Sequence, residues 1–269
     1  MSCYTPGERV VAPSLQYVGL RNISPPHHTR LINDGPMLPW EQLKHLMLGA
    51  DVGIADLCDV LPQCISLRQL EVDWVVDADG VSESSLFNLP HLEDLRISFN
   101  NPTTFYRFFM FNTPNLITLI ISQPPDVPDL INRFTVFMRR LRWTLQLIEI
   151  TRTYGPESND TTTLTEDIMR AVPFVLRFSA KAIKIRTATL SKIGTGHLLT
   201  NIEELHFRSY GNPWESVESL VAPSPYKVFH GSRLRDIYIY TDIPPHPLSQ
   251  RIKELRSRGI NIYLTPPAL

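Results

Sequence analysis

A short pattern of apolar and polar positions recurs along the chain. Counted from the residue that opens each copy, positions one, four and six are apolar, and the positions between them are mostly polar. The alternation around positions four to six has the period of two that is typical of a β-strand with one buried face. The sequence therefore predicts nine strands, in copies that end at Leu20, Leu48, Val72, Ile97, Ile121, Ile150, Ile185, Phe207 and Ile239.

The copies are evenly spaced in the first half of the chain. Those that open at Leu43, Leu67, Leu92 and Leu116 are 24, 25 and 24 residues apart. Leucine-rich repeats have about 20–29 residues and carry the same L-x-x-L-x-L strand. Later gaps reach 29 and 32 residues, which indicates longer connections in the second half.

Helical periodicity occurs between the strands. In residues 130–141 the apolar side chains are spaced as on one face of a helix, and further helices are predicted over 54–61, 84–87, 105–111 and 164–176. A strand and a helix cannot bury their apolar faces alone, but stacked copies share a core. The predicted fold is α/β, an irregular leucine-rich-repeat solenoid with a curved parallel sheet and helices on its convex side. We expect one domain over 1–269, with repeats over about 13–264.

The stretch "MLPWEQLKHLML", Met37–Leu48, has two interpretations. Its Leu-Pro-x-Glu-x-Leu segment looks like the opening of an F-box, a helical module that docks onto a ubiquitin-ligase scaffold. Its last six residues fit a repeat strand. An F-box would continue with further helices, but the strand-like "SLRQLEVDW" follows 24 residues after Leu43. The repeat interpretation is therefore favoured.

The repeat units resemble the leucine-rich-repeat region of fungal F-box-like proteins. In that family, strands of the form W-x-Q-L-x-x-L alternate with L-x-x-C-x-x-L and L-P-x-L-x-x-L units. The matching residues are Trp40, Gln42, Leu43 and Leu46, then Leu61, Cys64 and Leu67, then Leu89, Pro90, Leu92 and Leu95. The resemblance is specific over residues 38–121 and extends over about 13–264. It implies protein–protein interaction of the substrate-recognition type, with a ubiquitination substrate or another protein as the partner.

The chain departs from that family at its start, because it begins almost directly with a repeat and leaves no room for an F-box. The expectation is a repeat domain without its docking half. Two alternatives remain open: a truncated, non-functional remnant of an F-box and repeat gene, or a repeat domain that works alone.

Composition narrows the classes of function. A net charge of −1 argues against gripping nucleic acid by its phosphates and against a polybasic membrane anchor. Three cysteines do not form a disulfide framework, which favours a reducing compartment. No apolar run reaches membrane-spanning length and no signal peptide is evident, so a cytoplasmic or nuclear location is expected.

Motifs for chemistry are weak. "GTGH" at Gly194–His197 lacks the lysine of a phosphate-binding loop, and Asp77 and Asp79 lack the glutamate that completes a calcium loop. The sequence predicts no catalytic, metal or cofactor site, and therefore no enzyme. The rival hypothesis is an enzyme with a site carried on connecting loops.

The strand pattern also predicts a binding surface. Because strand side chains alternate, positions three, five and seven should point away from the core, onto the concave side of the sheet. Concave repeat surfaces are extended binding faces, and tyrosine and arginine are enriched at binding hot spots. We expect the later strands to contact an acidic or aromatic segment of a partner. The candidate residues are Glu71, Asp73, Asp94, Arg96, Lys184, Arg186, His206, Arg208, Tyr238 and Tyr240.

Overall fold

A computed structural model describes residues 14–20, 38–49, 54–75, 87–99, 111–122, 130–141, 144–151, 160–209, 212–221, 233–241, 250–257 and 259–265. The chain groups into two compact units, Met1–Val127 (unit 1) and Pro128–Leu269 (unit 2). Each unit combines a parallel sheet with helices, so the predicted α/β class is confirmed. The single domain over 1–269 stays a prediction.

Unit 1 contains a parallel sheet whose strands lie side by side nearly in sequence order. Its neighbours, in order, are β1 (Tyr17–Leu20), β2 (His45–Leu48), β3 (Gln69–Val75), β5 (Asp94–Phe99) and β7 (Thr118–Ser122). Two short strands, β4 (Phe87–Asn88) and β6 (Phe111–Asn112), pair separately. The described connections hold helix α1 (Ile54–Val60) and single 3-10 turns at Trp40–Gln42 and Leu61–Gln63.

Unit 2 repeats this arrangement with more helix. Its parallel sheet has the order β8 (Leu147–Thr151), β9 (Arg177–Lys184), β10 (Glu204–Ser209), β11 (Asp236–Thr241) and β12 (Asn261–Thr265). Its helices are α2 (Leu130–Leu141), α3 (Asp160–Ala171), α4 (Thr187–Gly194), α5 (Pro213–Val221) and α6 (Gln250–Ser257). Among the described residues, no helix is long and apolar enough to cross a membrane.

The apolar pattern builds the core as predicted. Leu43, Leu46 and Leu48, at positions one, four and six of their copy, are all buried. The same positions are buried in the copies that end at Val72, Ile97 and Ile121. The segment Met37–Leu48 therefore ends in a strand that pairs with β1 and β3, and not in the helix of an F-box.

One backbone hydrogen-bond arrangement repeats from strand to strand. The amides of Glu93 and Asp94 both donate to the carbonyl of Arg68, and those of Ile117 and Thr118 both donate to the carbonyl of Glu93. Unit 2 repeats the arrangement, for example at Leu176, whose carbonyl accepts from two successive amides. Each copy is thus joined to the preceding copy by the same pair of hydrogen bonds, and these bonds satisfy the backbone amides at the start of the strand.

Two aromatic residues predicted to end helices lie in strands instead. Phe87 and Phe111 are buried in β4 and β6, with ring centroids 5.1 Å apart. Beside them, Asn112 donates its side-chain amide to the Asn88 side chain at 3.0 Å. Pairing with the next copy overrides the local helical spacing of these residues. The remainder of the predicted helices over 84–87 and 105–111 lies outside the described residues.

The copy that was predicted to end at Ile185 has the wrong register. In the structure Phe178 pairs with Leu205 and Ala180 pairs with Phe207. The repeat pattern of this strand therefore opens at Val175, in the stretch "VLRFSA", and β9 continues through a bulge into the predicted stretch "AKAIKI". Phe178 and Ala180 are fully buried, and the small Ala180 side chain hides the pattern from a search for large apolar residues. The neighbouring helix α3 also ends earlier than the predicted 164–176, whereas α2 has the predicted bounds.

The core register predicts the effect of truncating Leu95, which is 0% exposed at position four of its copy. Leu95→Ala should lower the free energy of unfolding by about 2–5 kcal/mol, because it removes buried methyl groups and leaves a cavity. The control is His91→Ala at an exposed site in the preceding turn, which should stay within about 0.5 kcal/mol. Denaturant unfolding measures both variants. A loss below about 1 kcal/mol for Leu95→Ala would contradict the register.

Gly194 allows α4 and α5 to pack closely in unit 2. A Cβ added there would lie 1.7 Å from the backbone carbonyl oxygen of Leu220. Gly194→Ala should therefore force the helices apart and cost about 1–3 kcal/mol, although alanine is the better helix former. Thr187→Ala, at the exposed first residue of the same helix, is the control. Equal melting temperatures for the two variants would show that the contact is not tight.

Cys64 should be chemically inert in the folded chain. Burial raises the pKa of its thiol from 9.0 to about 12, and the thiol donates to the carbonyl of Val60 at 3.4 Å. At pH 8 the thiolate fraction then falls to roughly one in ten thousand. In a Cys3→Ser, Cys58→Ser variant, a thiol reagent should label the native protein far more slowly than the denatured one. Comparable labelling rates would mean that this thiol is accessible.

Candidate functional site

The sheet of each unit has a face that carries the side chains between the buried positions. We call it the open face of that unit. In unit 1 the predicted residues Glu71 and Asp73 are half-buried there, Asp94 is half-buried and Arg96 is exposed. The register places Glu71 directly beside Arg96, so the structure brings these four residues onto two adjacent strands.

The open face of unit 1 contains a shallow groove of about 230 Å³. Tyr17, His45, Gln69 and Asp94 follow one another across its strands. The His45 ring donates from Nδ1 to the Gln69 side-chain oxygen at 2.7 Å, and Arg96 pairs with Asp94 at 3.3 Å. Tyr17 is 58% exposed at one end. This groove offers hydrogen-bonding groups of both charges.

The open face of unit 2 is dominated by aromatic rings. His206 of β10, Tyr238 of β11 and Tyr263 of β12 are partners in register, and we call these three side chains the aromatic ladder. The ring centroids of His206 and Tyr238 are 4.2 Å apart, and those of Tyr238 and Tyr263 are 4.5 Å apart. Both pairs are stacked with an interplanar angle of 14°. The ladder is thus a continuous stack that runs across three strands.

The His206 ring is fixed at both nitrogens. Its Nε2 donates to the Glu204 carboxylate at 2.5 Å, and its Nδ1 lies 3.2 Å from the Tyr240 hydroxyl. The next residue in the row is Ser179, which is 5% exposed and whose hydroxyl has no hydrogen-bond partner among the described residues. Because both imidazole nitrogens are engaged elsewhere, His206 does not contact this hydroxyl as a general base would.

Carboxylates accompany the aromatic ladder. Glu204 and Asp236 occupy adjacent strands two residues before His206 and Tyr238, so they lie on the same face. Asp236 accepts a hydrogen bond of 3.0 Å from the neutral Asn261 amide, which leaves its negative charge in place. Burial, followed by the Glu204 carboxylate, raises the pKa of the Tyr238 hydroxyl. Two carboxylates therefore lie at the start of the strands that carry His206 and Tyr238, and Arg208 lies two residues beyond His206 on the same face.

The remaining predicted residues of unit 2 have different positions. Arg208 lies between Lys184 and Tyr240 in register, and both Arg208 and Tyr240 are half-buried on the open face. Arg186 is exposed but lies outside β9, at the start of α4. The register explains this difference: Arg177 and Ser179 lie beside Glu204 and His206, a bulge follows, and Lys184 beside Arg208 is the last residue of β9. Lys181 pairs with Glu149 at 3.2 Å.

Tyr263 is the site residue that reasoning from the sequence missed. It is 41% exposed and is the register partner of Tyr238, which occupies position five of the preceding copy. The signal was present in "GINIYL", where Asn261 and Tyr263 alternate with Ile260, Ile262 and Leu264. Reading outward positions from this copy would have added Tyr263 to the candidates.

One of the weak chemical motifs lies within the described residues. Gly194–His197 forms the end of α4 and the turn after it, where Thr195 Oγ1 lies 2.8 Å from His197 Nδ1. Asp77 and Asp79 lie outside the described residues. Within the described parts of the chain, no three His, Cys, Asp or Glu side chains are grouped so that they could hold a metal ion.

Comparisons with known proteins do not assign the chain to a family. The sequence matches no protein-family model, and a search of curated proteins finds no match.

Proposed function

We propose that this chain is a protein-binding leucine-rich-repeat solenoid whose open sheet faces recognise a partner. The observation that carries the proposal is the continuous register of outward side chains, above all the aromatic ladder with its flanking carboxylates. Copies of one strand type that are set side by side present such rows as an extended surface. Tyrosine and arginine, which are enriched at binding hot spots, occupy this face at Tyr238, Tyr240 and Arg208.

The resemblance to fungal F-box-like proteins supports a more specific role. In that role the chain is the substrate-recognition part of a ubiquitin-ligase adaptor, which acts in the cytoplasm or nucleus without catalytic residues of its own. The partner is then a ubiquitination substrate. This role requires an F-box, and affinity capture with ubiquitin-ligase subunits scored separately tests whether the protein associates with the ligase.

The proposal predicts that open-face substitutions separate binding from folding. Arg208→Ala combined with Tyr238→Ala should weaken capture of a true partner by about thirtyfold or more, because a single hot-spot residue contributes about 2 kcal/mol. The melting temperature should change little, because neither side chain belongs to the buried core.

The matched control is Lys253→Ala combined with Glu218→Ala, two exposed positions on helices of the same unit. Capture by this control should equal that of the wild-type chain. If the open-face variant captures its partner as well as the control does, the binding site is not on the open face of unit 2.

A further inference from the structure

Tyr263 forms one end of the aromatic ladder. Its rings stack along the row, so Tyr238 has His206 on one side and Tyr263 on the other. Tyr263 has Tyr238 on one side and belongs to the last strand in the sheet order. Since 41% of Tyr263 is exposed, it is the ring of the ladder that offers an aromatic face to a ligand.

On the two strands at this end of the ladder, the outward charge is a carboxylate. The outward side chains of β11 and β12 are Asp236, Tyr238, Tyr240, Asn261, Tyr263 and Thr265. This set holds a carboxylate and no lysine or arginine. The neighbouring strand β10 adds Glu204 beside His206 and, at its other end, Arg208 beside Tyr240. Lys181, a cation of the same face, is two strands away from β11 and is paired with Glu149.

We propose that the open face of unit 2 binds an arginine-bearing basic segment of a partner protein, with one guanidinium stacked on Tyr263 as the next plane of the ladder. This inference rests on the proposed protein-binding function and gives it a partner chemistry. An arginine guanidinium is planar and weakly hydrated, so it extends a stack of flat rings. Asp236 and Glu204 favour the positive charge of the segment as it approaches.

Other occupants fit less well. An acidic segment, which the sequence pattern favoured, would place like charges beside Asp236 and Glu204. A lysine ammonium is a compact, strongly hydrated charge that cannot continue a planar stack. The proposal therefore distinguishes arginine from lysine and from glutamate at the contact with Tyr263.

The test begins with a displayed library of random dodecapeptides, selected on the full chain. Peptides that bind should be enriched in arginine, and a synthetic copy of the strongest is then titrated by calorimetry. Tyr263→Leu keeps apolar bulk but removes the π face, and it should weaken the peptide about fivefold to thirtyfold. Tyr263→Phe keeps the face and should bind within about twofold of the wild-type chain.

Charge is tested separately. Asp236→Asn keeps an oxygen that can accept a hydrogen bond from Asn261 but removes the negative charge. This variant should bind the peptide more weakly, and its affinity for the peptide should depend less on salt concentration. Replacing arginine by lysine in the peptide should also weaken binding, and replacing it by glutamate should abolish binding.

The outcomes separate the inference from the proposed function. The arginine site is overturned if the selected peptides lose binding to the Arg208→Ala, Tyr238→Ala variant but lack arginine. It is also overturned if they bind the Tyr263→Leu variant as tightly as the wild-type chain. In both cases the open face remains a binding surface. If no selected peptide responds to that double variant, both proposals fail. Arginine-rich peptides that respond to Tyr263→Leu and Asp236→Asn support both.

Discussion

Burial of positions one, four and six is the constraint on which the rest of the structure depends, and it holds in the eight copies that open at Leu43, Leu67, Leu92, Leu116, Leu145, Val175, Ile202 and Leu234. Leu67, Leu70 and Val72 show it in one copy, and the same positions recur at the same depth in the adjacent strands. A slip of one residue would turn each of these side chains to the opposite face. The register is therefore fixed by apolar burial, and the repeated amide pairs at the strand starts are satisfied as a consequence.

The outward rows follow from that same register. Since buried residues align between strands, the residues between them must align too, and side chains far apart in sequence become neighbours. This is how His206, Tyr238 and Tyr263 become one stack, although no local motif joins them. The two open faces differ in chemistry. That of unit 1 pairs its charges around a polar groove, whereas that of unit 2 concentrates aromatic rings beside carboxylates.

The connections explain where the second half of the chain departs from regular repeats. The longer gaps hold full helices, and each of them must find its own packing partner in unit 2. Gly194 is an example of such packing, because the end of α4 lies so close to the backbone of Leu220 that a residue with a Cβ does not fit there. Glu166 of α3 shows another solution: it bonds Lys192 and Thr189 of α4, and the Lys192 hydrogen bond lowers the pKa of its carboxyl.

The sequence by itself determined the parallel α/β class, the buried positions, the bounds of α2 and the strand at His45–Leu48, because periodic burial is written locally in the order of apolar and polar residues. It also placed Tyr238 and Tyr240 on the outward face. Only the tertiary structure decided the register of β9, the pairing of Phe87 with Phe111 and the place of Tyr263 in the ladder. These features are contacts between residues about 24 or more positions apart, and they depend on how each connection folds. A small core residue such as Ala180 is not recognised as a buried strand position from the sequence, because its side chain is only weakly apolar. Its place in the core is set by pairing with Phe207 of the next strand.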